Sequence, residues 1–394
     1  MSRETVDSQV VKLAQALVRE RSYSGEEKGV SDVLTKFFKD NGFTDVHIDK
    51  YGNTIGHIKG SRPGKAILFD GHMDTVPVTD ESVWKYPPFA AEIHDGKIYG
   101  RGTSDMKGAL AAMAVAAAEF NEETKGDFAG DIYVAGVVHE ECFEGVAARE
   151  ISKYTNPDIV VIGEASQLNL KIGQRGRAEI KLEVFGKAAH SANPEKGINA
   201  VYKIGEIIQE IRKLEPTHNE TLGDGILELV DIKSSPYPGA SVVPEYCVAT
   251  YDRRLLVGET LESVMEPIQK LVDEMMAKDP ELDAKLSYSV GEEKCFTGET
   301  IKGERFFPGW LYDEEEEFVQ TAYNALKEIG QEPIITQYNF CTNGSHYAGE
   351  AKIKTFGLGP SLENLAHTLD EYIEVDQLMK VKDSYKAICG AFNK

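Results

Sequence analysis

A chain of 394 residues, 41% hydrophobic and 27% charged, has an ordinary globular composition and is long enough to divide into two domains. Its 43 Lys and Arg against 65 Asp and Glu leave a formal charge of −22, which argues against nucleic acid or an anionic membrane surface as a partner. That sign still permits an anionic substrate, because a local arginine cluster or a metal overrides it. Five scattered cysteines (Cys142, Cys247, Cys295, Cys341 and Cys389) without a CxxC pair fit a reducing compartment better than a disulfide framework. The N-terminal stretch is charged and amphipathic with no apolar targeting core, and the longest nearly uncharged run, 109–120, is too short to span a bilayer. The expectation is a cytoplasmic protein.

Taken in order, 6–19 and 28–40 carry apolar residues at helical spacing, and 46–58 alternates around Lys50-Tyr51-Gly52-Asn53 as a hairpin would. The apolar run Ala66 to Phe69 predicts a strand buried on both faces. At its end stand His72 and Asp74, two residues apart and so on one side of an extended segment. Asp105 follows in a glycine-rich turn (Gly100, Gly102, Gly108) ahead of an Ala-rich helix over about 106–120. The strand at 131–138 runs directly into His139-Glu140-Glu141. A helix at about 144–154 leads to a strand at 158–162 that ends in Gly163-Glu164. Three strands thus deliver carboxylates at their C-terminal ends, where open α/β sheets place their ligands.

After Gly173-Gln174-Arg175-Gly176-Arg177 the pattern changes to alternation with one solvated face. Strands at 178–185, 225–232, 246–254 and 284–290, with helices at 198–214 and 260–277, give the order β-α-β-β-α-β of a ferredoxin-like unit. The expected fold is therefore α/β: a mixed-sheet catalytic domain over 1–176 and 292–394, with 177–291 inserted as a dimerisation or lid domain. In the last part, the acidic run from Glu314 to Glu317 opens a helix, where it complements the dipole. A strand at 353–358, a loop bearing His367 and a helix at 375–391 complete the chain.

Singly, each polar residue has a plain reading: His72 as a hydrogen-bonded structural histidine, Asp105 as a helix cap, Glu140 and Glu141 as a solvated pair. Together, histidine and carboxylates at successive sheet edges are the ligand supply for two hydrolytic metal ions with an activated water as nucleophile. The adjacent Glu140-Glu141 pair suits one ligand and one general base.

At these residues the chain resembles the M20 family of metallopeptidases and amidohydrolases. The motifs that carry the resemblance are GHMDTVP, GRGTSDMKG, HEEC, GEAS, GQRGR, GKAAHSANPEKG, and GP followed by His367. Within the family it is most similar to the YgeY-type hydrolases linked to selenium metabolism, on GQRGR, YDRRLLVGET, FTGE and CTNG.

The resemblance implies that His72, Asp105 and Glu164 hold one metal and Asp105, Glu141 and His367 the other, with Asp105 bridging. Asp74 would orient the His72 ring, Glu140 would be the general base, and the Asp105–Met106 peptide would be cis. His190, in a strand-to-helix turn, would stabilise the oxyanion of the tetrahedral intermediate, which implies a homodimer through 177–291. Arg254 would grip a substrate carboxylate, with Arg175, Arg177, Asn343 and Gly344 as further substrate contacts. One departure stands out: Ser241-Val242-Val243-Pro244 has Ser where the family often has Asn.

The resulting expectation is a dimetal amidohydrolase acting on an N-acyl or N-carbamoyl amino acid or a short peptide. Zinc is the first choice of ion, with manganese and cobalt as alternatives. Glu rather than Asp at 164 favours the deacylase and carboxypeptidase side of the family. The alternatives are a di- or tripeptidase of the same family and a silent metal-dependent binding protein. The presence of Glu140 speaks against the last.

Overall fold

The computed structural model describes residues 8–393. In chain order it contains α1 (Gln9–Arg19), α2 (Lys28–Asp40), β1 (Asp45–Ile48), β2 (Thr54–Lys59), β3 (Arg62–His72), α3 (Gly108–Thr124), β4 (Ala129–Val137), α4 (Ala148–Thr155), β5 (Ile159–Ile162) and β6 (Leu170–Gln174). The middle of the chain forms β7 (Gly176–Phe185), α5 (Ala200–Ile211), β8 (Ile226–Ser235), β9 (Tyr246–Leu255), α6 (Leu261–Lys278) and β10 (Asp283–Tyr288). Last come α7 (Glu317–Glu328), β11 (Ile335–Tyr338), β12 (Lys354–Gly357) and α8 (Val375–Phe392). Contacts divide the chain into two units: 8–174 with 292–303 and 311–393, and 175–291 with 304–310.

The first unit is built on a mixed sheet in the order β1-β2-β4-β3-β5-β12-β6, with β11 also paired to β6. The four strands β4, β3, β5 and β12 run parallel, while β1 and β2 are the antiparallel hairpin expected from the alternation at 46–58. Parallel strands are covered on both faces, so their sequences are continuously apolar. Ile67, Leu68, Phe69, Val160 and Val161 are accordingly sealed from solvent.

Register then decides where the polar residues emerge. His72 lies opposite Val137, Asp70 opposite Ile162, and Ile162 opposite Gly357. The C-terminal ends of β3, β4, β5 and β12 are therefore level, and the residues that follow each strand leave the sheet at one edge.

Helix α3 packs against β3, β4, α1 and α8, and its residues 109–117 are fully buried. A helix buried all round cannot be amphipathic, which explains a sequence of alanines with no polar stripe. Its small side chains bring it close to the sheet. A Cβ on Gly163, just past β5, would sit 2.4 Å from Met113 Cε and 2.6 Å from Met106 Cε. A Cβ on Gly359 would sit 2.2 Å from the Glu164 carbonyl oxygen and 2.3 Å from that of Gly163.

In the second unit the strands order as β8-β9-β7-β10, all antiparallel, with α5 and α6 closing a core around Ile180, Leu182, Ala249, Ile204 and Ile268. This is the split βαβ arrangement. One short segment departs from the expected division. Residues 292–303 belong to the first unit, but Phe306 and Phe307 pair with Ala178 and Arg177 of β7, which assigns 304–310 to the second. A two-residue pairing has no periodicity to betray it; what fixes it is Phe307, a large ring only 1% exposed.

Replacing Gly359 by Ala is expected to cost about 1–3 kcal/mol, because the new methyl meets rigid backbone on either side of Glu164 rather than a flexible side chain. The urea midpoint of the variant checks this.

Candidate active site

The edge where the parallel strands end gathers the predicted ligands. His72 terminates β3 and directs Nε2 at Asp105 Oδ1, 2.8 Å away, and at Glu164 Oε1, 3.5 Å away. Asp105 presents its other oxygen, Oδ2, to His367 Nε2 at 3.1 Å. His367 also lies 3.0 Å from Glu141 Oε2. One aspartate thus faces an imidazole with each oxygen, the disposition a bridging carboxylate needs. Donor atoms of His72, Glu140 and Glu164 lie within 4.8 Å of one another, as do those of His72, Asp105 and Glu141. Every described ion pair of these carboxylates is to an imidazole. Nitrogen and carboxylate oxygen in this number fit zinc, manganese or cobalt.

The Asp105–Met106 peptide is cis, as the resemblance implied. His72 and Glu140 are 1% and 6% exposed, whereas the His367 side chain is half exposed. Glu140 Oε1 is buried with no hydrogen-bond partner among the described residues.

Asp74 is at the site, but not as expected. The Nδ1–H of His72 donates to the backbone carbonyl of Asp74 at 2.8 Å, and the carboxylate is 3.7 Å from that nitrogen. Beyond Met73, whose N–H still bonds to the Val137 carbonyl, the chain leaves the sheet, and the Asp74 carbonyl reaches the ring. The carboxylate instead accepts the backbone N–H of Glu140 (3.0 Å) and of Glu141 (3.2 Å), together with the hydroxyl of Ser24 (2.7 Å). Glu27 takes the N–H of His139 at 3.1 Å. Asp74 therefore orients His72 through its backbone and the 139–141 turn through its side chain. Sequence reasoning missed Ser24 and two buried acids, Glu27 and Glu371; none belongs to a spacing pattern.

Asn343 and Gly344 also need correction. The Asn343 amide donates to Asp70 at 3.0 Å and accepts from the Gly145 N–H at 2.8 Å, and the residue is 2% exposed. The Gly344 N–H donates to Thr342 Oγ1 at 3.0 Å. Asn343 is thus buried and tied into the loop, and the Gly344 N–H is spent within it.

In the second unit, His190 is exposed, and its Nδ1 accepts the Ala192 N–H at 3.0 Å. The proton is then on Nε2, a free donor. Ser241, at φ 58°, runs alongside and accepts the Ser191 N–H. Arg254 and Arg177 are cross-strand partners, and each lays its Nε on Asp252, at 2.9 and 2.8 Å. Arg175 donates to the Leu222 carbonyl.

Electrostatics at the first unit's cluster run almost all one way. Burial alone would lower His72, yet Asp105, Glu164 and Glu140 hold its imidazole well above the usual 6.5. Asp105 and Glu141 push His367 up to about 10. Burial, reinforced by neighbouring carboxylates, raises Glu140 and Glu164 well above 4.5 and Glu141 above it. Only Asp105 moves the other way: burial raises it, but the two imidazoles outweigh burial and depress it.

Groups raised in the folded state keep protons that the unfolded chain has released, so folding stability falls as pH rises. The histidine contribution is fully present below pH 6.5 and is lost as pH climbs toward about 10. Chelator-treated protein is expected to show a urea midpoint that declines across that window, and bound metal to flatten the profile. A midpoint independent of pH in the chelated protein would contradict the arrangement.

The sequence profile of Peptidase family M20/M25/M40 matches residues 68–390. The chain is 32% identical to the protein YgeY of Escherichia coli (strain K12), covering 93% of this chain and 90% of that one. It is 29% identical to succinyl-diaminopimelate desuccinylase 2 of Ruegeria sp. (strain TM1040), over 96% of this chain and 93% of the relative. Its fold matches the crystal structure of the YxeP protein of Bacillus subtilis, described as a dinuclear metal-binding peptidase, with a TM-score of 0.71 at 14% identity, covering 97% and 96% of the two chains. With the fold, the ligand cluster and the profile in agreement, the chain belongs to peptidase family M20/M25/M40, a family of amide-bond hydrolases.

Proposed function

We propose that this enzyme is a dimetal amidohydrolase that cleaves the amide C–N bond of a small N-acyl or N-carbamoyl amino acid, or of a short peptide, whose free carboxylate is part of what is recognised. The observation that carries the reading is Glu140: a buried carboxyl with an unpartnered oxygen, set among donors for two ions and fixed through its own backbone by Asp74. A merely structural cation site has no use for an extra acid of that kind.

In this reading His72, Asp105 and Glu164 would hold one divalent ion and Asp105, Glu141 and His367 the other; zinc suits the donors, and manganese or cobalt would also fit. When bound, such ions polarise a carbonyl and make a water acidic enough to attack it at neutral pH. Glu140 takes the proton from the attacking water at its free oxygen and passes it to the leaving nitrogen.

His190 offers its Nε2–H to the oxyanion, a role that belongs to a homodimer formed through the second unit. The exposed edge of β8, with Val230 and Ile232 outward, is compatible with such a pairing. Arg254, its Nε spent on Asp252, keeps its terminal nitrogens for the substrate carboxylate, and Arg177 stands beside it.

The variant Glu140→Gln tests the central assignment. It is expected to retain two zinc ions per chain by elemental analysis while kcat falls by about 10²–10⁴-fold. Unchanged hydrolysis would remove Glu140 as the base. Replacing Arg254 by Ala is expected to raise KM on carboxylate-bearing substrates far more than on matched amides lacking the group; equal effects would remove it from substrate binding. A panel of acyl-amino acids run beside dipeptides assigns the substrate class.

A further inference from the structure

Glu371 lies on the C-terminal side of the His367 loop and is fully buried. Its Oε1 accepts the backbone N–H of Ser104 at 2.8 Å and of Asp105 at 3.1 Å. Its Oε2 accepts Arg101 Nη1 at 2.6 Å and the Gly102 N–H at 3.1 Å. The Gly100 N–H in turn donates to the Glu371 carbonyl at 2.9 Å. One residue therefore takes five donors from 100–105, including the peptide N–H of Asp105 itself.

These bonds close a ring. At one side Glu371 fastens the 100–105 loop; at the other, His367 Nε2 meets Asp105 Oδ2 at 3.1 Å. Two ligand-bearing loops more than 260 residues apart in sequence are thereby fixed to each other twice, once through backbone and once through donor atoms. Arg101 is 5% exposed and lies over the Trp84 ring at 5.2 Å, so the charged partner of Glu371 is itself packed in place. A helix cap or a simple loop tie needs one or two of these bonds. Here the carboxylate converges on the peptide units that aim one side chain.

We propose that Glu371 is the positioning residue of Asp105: it supplies no donor to a bound ion, yet the affinity of the site for divalent cations depends on it. The proposal rests on the dinuclear reading above, in which Asp105 bridges.

Zinc affinity, measured by competition with a chromophoric chelator on the full chain, tests it in the native protein and in Glu371→Gln. Gln keeps one acceptor oxygen but turns an NH₂ group toward peptide N–H donors. The expected result is zinc affinity lower by about 10–100-fold. In the same variant, kcat is expected to recover as zinc is raised to saturation, with KM little changed and a circular dichroism spectrum like the native one. Arg101→Met, which leaves the backbone donors in place, is expected to give a smaller loss in the same direction. This keeps the test open should Glu371→Gln fail to fold. Native zinc affinity in Glu371→Gln, or in Arg101→Met if only that variant folds, overturns the proposal. A native chain that takes up no zinc overturns the dinuclear reading itself, and this proposal with it.

Discussion

The first unit depends on keeping several acids in one dry place. Asp105, Glu140, Glu141 and Glu164 share a site with only two imidazoles, and two like charges about 4 Å apart repel by about 4 kcal/mol even at an effective dielectric of 20. No fold tolerates that unless the backbone leaves the side chains nowhere else to go. The level strand ends, the alanine helix and the two glycines at 163 and 359 serve that confinement. Each removes a degree of freedom by which an acid could swing out to water. The raised histidine and glutamate pKa values are the same fact seen from the protons: where a metal is withheld, protons fill its place.

A second tier of buried groups holds the first. Asp74 and Glu27 take the peptide N–H groups of 139–141, and Glu371 takes those of Gly102, Ser104 and Asp105. Burial pushes Glu27 and Glu371 up to about 7 against these hydrogen bonds, and a carboxylate that accepts several peptide N–H groups fixes the backbone better than a neutral acceptor does. The positions of the catalytic acids are thus set through their main chain, which leaves their carboxylate oxygens open. Glu140 shows the result: its amide is fastened to Asp74, and its side-chain Oε1 is left without a partner.

What the sequence made legible follows the range of the signal. A buried parallel strand writes a continuous apolar run, and a polar residue just past it is conspicuous, so His72, Glu140, Glu141 and Glu164 could be picked out from local pattern. The second unit was readable for a related reason, since one solvated face writes an alternation. Residues whose role is defined by distant partners left no such trace. The packing of Asn343 left no local trace because its partners, Asp70 and Gly145, are 273 and 198 positions away. Glu27 and Glu371 belong to no local pattern at all. Asp74 was placed correctly and given the wrong atom, because alternation along a strand says nothing about where the strand turns.

The same distinction separates chemistry from selectivity. The ligand cluster is assembled from strand ends whose register cannot slip by one residue without turning the apolar set outward, so it has little freedom to vary. The arginines of the second unit are set by a cross-strand pair on an antiparallel sheet, where Arg177 and Arg254 share the carboxylate of Asp252. In the proposed function, exchanging a single residue there would alter which anion is recognised while leaving the ladder hydrogen bonds intact. Ser241 is a change of that kind: it occupies a left-handed turn that Asn also adopts readily, with a shorter polar group beside His190. Divergence in substrate therefore costs the fold little when it falls on the second unit and much when it falls on the strand ends of the first.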